Sequence, residues 1–109
     1  MTLVSPVEPW PVATPDVWFV YILRCGDLTL YTGIARDVQL RLQAHAAGRG
    51  ARYTRSRGPF TLCKTRRCVS KSAALKLEYA IKQLSRAEKE HLLEGQRLGR
   101  YARSLAASA

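Results

Sequence analysis

The chain has 109 residues, 47% of them hydrophobic, with a formal net charge of +10 and a pI near 10.2. That length allows one domain with a modest core and leaves little room for a second. No run of about 18 apolar residues is present to build a transmembrane helix, and the N-terminus lacks the basic-then-apolar pattern of a secretory signal.

Charge is the strongest global signal, and its placement sharpens it. Between Asp37 and Glu78 there is no acidic residue, whereas Arg41, Arg49, Arg52, Arg55, Arg57, Lys64, Arg66, Arg67, Lys71 and Lys76 all fall in that gap. Soluble surfaces usually mix both signs, so a one-signed stretch predicts a polyanion, and nucleic acid above all, since each neutralised phosphate releases counterions. An anionic membrane is disfavoured because these cations are not gathered on one amphipathic helix. Cys25, Cys63 and Cys68 form an odd set with no C-x-x-C pair and no zinc spacing. They are expected as reduced, mostly buried thiols in a cytoplasmic protein.

In chain order, residues 1–16 hold Pro6, Pro9, Pro11 and Pro15 and show no apolar periodicity; an extended tail carrying Trp10 is expected. Residues 17–24 are β-branched and aromatic on both alternating faces, which predicts a strand covered on both sides. Gly26-Asp27 marks a turn, and residues 28–33 return as a second strand. A two-residue loop would send Tyr21 and Tyr31 to opposite faces. An odd loop, for example residues 25–27, would put both on one face.

Asp37 is placed to cap a helix running to about Ala47, with Val38 and Leu42 inward and Arg41 and His45 sharing another face at i,i+4. The stretch GRGARYTRSRGP that follows is too rich in glycine and arginine for a regular element and reads as a basic loop. Within it, Tyr53 amid Arg49, Arg52, Arg55 and Arg57 is a candidate for stacking on a base beside phosphate-binding guanidinia. A third strand spans residues 60–69. A helix over residues 70–83 follows, with Ala74, Leu77, Ile81 and Leu84 as its inner stripe and Glu78 at the stripe's edge, one turn before Lys82. Ser85-Arg86-Ala87-Glu88 is a capping box that starts another helix, ending near Gly95. Residues 96–109 are small and basic and are expected as a tail or frayed helix. The predicted fold is α/β of the α+β kind, order ββαβαα, with a small three-stranded, mainly antiparallel sheet flanked by helices over residues 17–95.

At this point the residues resemble the GIY-YIG nuclease superfamily, and its small stand-alone bacterial branch in particular. Phe19-Val20-Tyr21 stands where that family has Gly-Ile-Tyr, and Tyr31-Thr32-Gly33 where it has Tyr-Ile-Gly. Arg41 matches the arginine of the family's first helix, His45 its helical histidine, and Glu78 in ALKLEYAIKQL its helix glutamate. Two positions depart from the namesake motifs, Phe19 and Thr32, and neither would supply reacting atoms. Some members carry an asparagine after the glutamate helix, and this chain contains no asparagine.

The resemblance implies an endonuclease that hydrolyses phosphodiester bonds in DNA with Mg²⁺ or Mn²⁺, in DNA repair or in processing branched or single-stranded DNA. Glu78 would hold the metal, which one carboxylate would bind weakly without substrate. Tyr21 would be the general base, provided that a metal or Arg41 lowers its phenol from the usual value near 10. Tyr31 would position water or phosphate, Arg41 would offer a bidentate fork to phosphate oxygens, and His45 would relay a proton or bind phosphate. Gly33 would let a backbone approach, and Lys82 would join the loop cations in binding the polymer. The alternative is a non-catalytic nucleic-acid-binding module with the same fold. No obligate protein partner is implied, and RNA stays open as the polymer.

Overall fold

The computed structural model describes residues 17–107; the expected proline-rich tail and its Trp10 lie outside the described residues. Strand β1 (Trp18–Arg24) is the middle of a three-stranded antiparallel sheet ordered β2-β1-β3, with β2 at Leu30–Ala35 and β3 at Thr61–Cys68. A central strand needs apolar residues on both faces, and β1 has them: Val20, Tyr21, Ile22 and Leu23 are all buried.

The two faces of β1 feed two cores. Val20 and Ile22 pack with Cys68, Ala74, Leu77, Ile81, Leu92 and Leu98, beneath helices α2 (Lys71–Lys82), α3 (Arg86–Leu92) and α4 (Arg97–Ala107). Tyr21 and Leu23 face the other way, into a smaller cluster with Ala35, Tyr31, Val38, Leu42 and Phe60, covered by helix α1 (Val38–Ala46). Full burial of one such aliphatic side chain contributes about 1.5–3 kcal/mol, so the larger cluster carries most of the stability. The smaller one holds Tyr21 and Tyr31.

Helix starts follow the expected caps. Asp37 accepts the Leu40 N–H at 3.0 Å, Ser70 accepts from Ala73 at 3.1 Å, and Ser85 with Glu88 forms the full capping box. The expected ββαβαα order holds. Beyond it, the segment expected as a tail or frayed helix carries α4, whose Leu98 is buried and whose Tyr101, Ala102 and Leu105 pack on the larger core. Its apolar residues recur at steps of three and four among arginines, so a low mean hydropathy hides a core-facing stripe.

The hairpin is also longer than expected. Register pairs Tyr21 with Gly33 and Arg24 with Leu30, so residues 25–29 form the loop and β2 starts at Leu30 rather than residue 28. Asp27 builds this turn with its side chain, accepting the Thr29 N–H at 3.1 Å and the Thr29 hydroxyl at 2.6 Å, while Leu28 takes the left-handed region at φ 69°. The loop is odd in length, as a shared tyrosine face requires. Arg24 forks onto Glu90 at 2.9 and 3.0 Å, and Arg86 bonds both Glu90 and the Leu28 carbonyl, so the hairpin turn is fastened to α3. These two guanidinia hold the Glu90 carboxyl down to about 2.

Candidate active site

Three elements of the α1 side of the sheet bring five rings together. Tyr21 comes from β1, Tyr31 from β2 and His45 from the last turn of α1, with Tyr53 and Phe60 supplied by the loop after α1. Ring centroids lie 6.2 Å apart for Tyr21 and Tyr31, 5.8 Å for Tyr21 and His45, 5.4 Å for Tyr31 and His45, and 5.8 Å for His45 and Phe60. The odd hairpin loop makes this possible, because it leaves Tyr21 and Tyr31 diagonal neighbours on one face.

Gly33 sits directly across from Tyr21, and a Cβ there would lie 2.6 Å from the Tyr21 hydroxyl and 3.0 Å from the Tyr31 ring. Its lack of a side chain therefore makes room for the Tyr21 phenol, a different job from the expected approach of a substrate backbone.

His45 is 2% exposed and bonded at both ring nitrogens: Nε2 is 2.8 Å from the Tyr21 hydroxyl and Nδ1 is 2.7 Å from the Thr54 hydroxyl. Of its two expected roles, phosphate binding loses its free nitrogen and the proton relay keeps its partner. Burial, reinforced by the Arg41 charge, pushes the imidazole below its ordinary value, so it is neutral near pH 7.

Tyr21 is pushed up to about 12. Burial raises it most, a hydrogen bond from Arg41 draws it down, and the charges of Tyr31 and Glu78 add to the rise. The expectation of a phenol lowered by Arg41 therefore fails for the protein by itself, because burial outweighs the guanidinium. In the protein by itself the Tyr21 phenol keeps its proton near pH 7. Tyr21 and His45 form a neutral, hydrogen-bonded pair.

Glu78 and Lys82 approach from α2, on the far side of the sheet, along the exposed edge of β2. The Lys82 ammonium is 3.2 Å from the Glu78 carboxylate and 5.9 Å from the Tyr31 ring centroid. Glu78 is the half-buried partner of that pair, with its side chain 18% exposed. Among the described residues no group of three His, Cys, Asp or Glu could hold a metal by itself. A lone carboxylate with one lysine partner still fits an ion that keeps its waters and takes substrate oxygens as ligands.

The basic loop divides. Arg49, Arg52 and Arg55 are exposed, as a phosphate-binding surface needs. Tyr53 and Arg57 are engaged within the protein: the Tyr53 ring stacks on Tyr31 at 5.9 Å, the Arg57 guanidinium lies 4.2 Å over Tyr53, and Arg57 is ion-paired to Asp27 in the hairpin turn. The expected base-stacking ring thus serves first to hold its own loop over Tyr31.

Two residues of this loop escape sequence reasoning. Thr54 is buried beside His45, and a Cβ at Gly50 would fall 2.1 Å from His45 Nδ1. The only signal for either is a lone threonine and a second glycine inside a run of arginines.

A pH prediction follows from His45. Its folded-state value lies below the ordinary 6.5, so the fold favours the neutral ring. That contribution is complete above about pH 6.5 and is lost as pH falls from there through the folded value. Urea unfolding between pH 8 and 5 should show stability declining below pH 6.5, and His45→Gln should flatten that part of the curve.

Comparison with known proteins places the chain in a family. Residues 17–91 match the model of the GIY-YIG catalytic domain. The UPF0213 protein OB0043 of Oceanobacillus iheyensis is 51% identical over 78 residues, covering 72% of this chain and 91% of that protein. The UPF0213 protein VNG_2274C of Halobacterium salinarum is 56% identical over 73 residues, covering 67% and 95%. Among solved structures, the solution structure of the protein EF2693 from E. faecalis aligns with a TM-score of 0.50 at 33% identity, covering 70% of this chain and 82% of that one. With the two tyrosines, Arg41, His45 and Glu78 all on the matched segment, the chain belongs to the GIY-YIG family, a family of nuclease type.

Proposed function

We propose that this protein is a divalent-metal-dependent endonuclease that hydrolyses phosphodiester bonds in DNA. The observation that carries the reading is the neutral Tyr21–His45 pair, 2.8 Å apart in a buried setting beside Arg41. A structural tyrosine–histidine contact has no need of a guanidinium at the same hydroxyl or of a carboxylate whose charge reaches it.

In this mechanism, the attacking water gives its proton to the Tyr21 oxygen as the Tyr21 proton moves to His45 Nε2. The water oxygen bonds to phosphorus as the bond to the leaving 3′ or 5′ oxygen breaks; that oxygen keeps the bonding pair and takes a proton from solvent, and His45 returns its proton to solvent after the step. The phenol never carries a full charge, which suits a site where burial holds it up to about 12. Arg41 contributes a planar fork to the non-bridging oxygens, where negative charge accumulates. Tyr31, half-buried beside Lys82, orients the phosphate or the water. Arg49, Arg52, Arg55 and Lys82 neutralise flanking phosphates and set the polymer's path. Glu78 would hold Mg²⁺ or Mn²⁺, which when bound supplies positive charge against the transition state and acidifies a ligated water.

The test is cleavage of branched, nicked, single-stranded and plain duplex DNA with Mg²⁺ or Mn²⁺ against chelator. Metal-dependent nicking is the expected result. Salt-sensitive binding of all four without any cutting would establish the binding-module alternative instead.

A further inference from the structure

The buried chain Tyr21–His45–Thr54 ends on a backbone carbonyl, and the arrangement that gives every hydrogen in it a partner runs in one direction. The Thr54 hydroxyl donates to the Ala51 carbonyl at 2.8 Å. A hydroxyl has one proton, so with that proton on the carbonyl Thr54 accepts from His45 Nδ1, 2.7 Å away. The Nδ1 nitrogen must then carry the hydrogen. Since the ring is neutral, Nε2 keeps a bare lone pair, and the Tyr21 hydroxyl 2.8 Å away donates to it.

The opposite tautomer would aim an Nε2 hydrogen at the Tyr21 oxygen. There Thr54 would turn its hydrogen to Nδ1, leaving the Ala51 carbonyl its Thr54 N–H, while the Tyr21 hydrogen would lose Nε2 as its acceptor at an oxygen that Arg41 also serves. Tyr21 is 1% and His45 2% exposed, so a phenol hydrogen turned away from Nε2 finds no solvent substitute. The loop holds this geometry tightly. Thr54 closes the single 3-10 turn Arg52–Thr54, and the chain passes so near the imidazole at Gly50 that a Cβ does not fit.

We infer that Thr54 is a positioning residue, whose hydroxyl holds His45 in the Nδ1–H tautomer and so keeps Nε2 free to receive the Tyr21 proton. This deepens the nuclease reading and rests on it for its purpose, though not for its geometry. Thr54 touches no reacting atom. It acts through His45, and its loop position between the exposed Arg52 and Arg55 ties the tautomer to the segment that meets phosphate.

The test reads the tautomer directly and activity separately. Long-range proton–nitrogen correlation on ¹⁵N-histidine-labelled full chain should show His45 with a protonated Nδ1 and an unprotonated Nε2 near pH 7.5. His91 serves as an exposed internal reference. Thr54→Val keeps the side chain's shape and removes the acceptor, so the His45 signals should move toward the Nε2–H form. Thr54→Ser should restore the wild-type pattern.

In the cleavage assay Thr54→Val should lower kcat roughly 10- to 100-fold with KM little changed, in the range that a general acid–base contribution allows, and Thr54→Ser should recover most of it. A wild-type His45 found as Nε2–H, or one whose tautomer ignores Thr54→Val, overturns the inference. If Thr54→Val does not fold, the wild-type and Thr54→Ser spectra decide alone. The expected tautomer in a protein that binds but never cuts DNA would sustain the geometry and defeat the nuclease reading, so the two failures are distinguishable.

Discussion

Tyr21→Phe should slow metal-dependent cleavage by about 10²- to 10⁴-fold, the span of a lost general acid–base contribution. The substitution keeps the ring that packs with Leu23 and Ala35 and removes only the hydroxyl. His45 Nε2 then loses its partner in a buried setting, at a cost of about 1–3 kcal/mol in stability. The variant should still fold and should bind DNA with near wild-type affinity, because the exposed Arg49, Arg52 and Arg55 are untouched. Single-turnover cleavage at saturating protein, with binding measured in chelator, separates the terms. A rate within threefold of wild type would remove Tyr21 from the proton path.

Glu78→Gln should cost about a thousandfold in the same assay, equivalent to roughly 4 kcal/mol of lost transition-state stabilisation. The carboxamide is nearly isosteric but offers no charge to a cation. The partner lost is Lys82, an i,i+4 pair with both side chains partly in water, and such pairs stabilise helices by only about 0.3–0.5 kcal/mol. Thermal unfolding should therefore barely change while activity collapses. Raising Mg²⁺ or Mn²⁺ should recover little. A variant that retained wild-type cutting would relocate the metal or eliminate it from the reaction.

Much of this arrangement was legible because it depends on short-range rules. Tyrosine parity across the hairpin, the i,i+4 spacing of Arg41 and His45, and the stripe of α2 with Glu78 at its edge need only strand and helix periods. What escaped depends on contacts that periodicity does not encode. Gly26-Asp27 looks like a two-residue turn, but Asp27 spends its carboxylate on Thr29 and Arg57, and the turn grows to five residues with Leu28 in the left-handed region.

His45 was visible as a ring on α1, whereas its burial was not, since that depends on a loop nine residues later folding back to place Thr54 and Gly50 against it. For the same reason no sequence rule announces that Tyr31 and Arg57 engage Tyr53, a ring that stays 42% exposed. A guanidinium near the Tyr21 hydroxyl is easy to anticipate from sequence, whereas the weight of burial against it is not.

Helix α4 has a consequence for where the family ends and the molecule does not. The matched catalytic domain stops at residue 91, yet Leu98, Tyr101, Ala102 and Leu105 roof the same core that Val20 and Ile22 floor. Lys64 of β3 reaches past that boundary to the Gly95 carbonyl, and Arg66 rests against α4 at Gly99. The unit that matches the family is therefore shorter than the unit that folds. A chain trimmed to the family's borders would keep Tyr21, Tyr31, Arg41, His45 and Glu78 and lose part of the core packed beneath them.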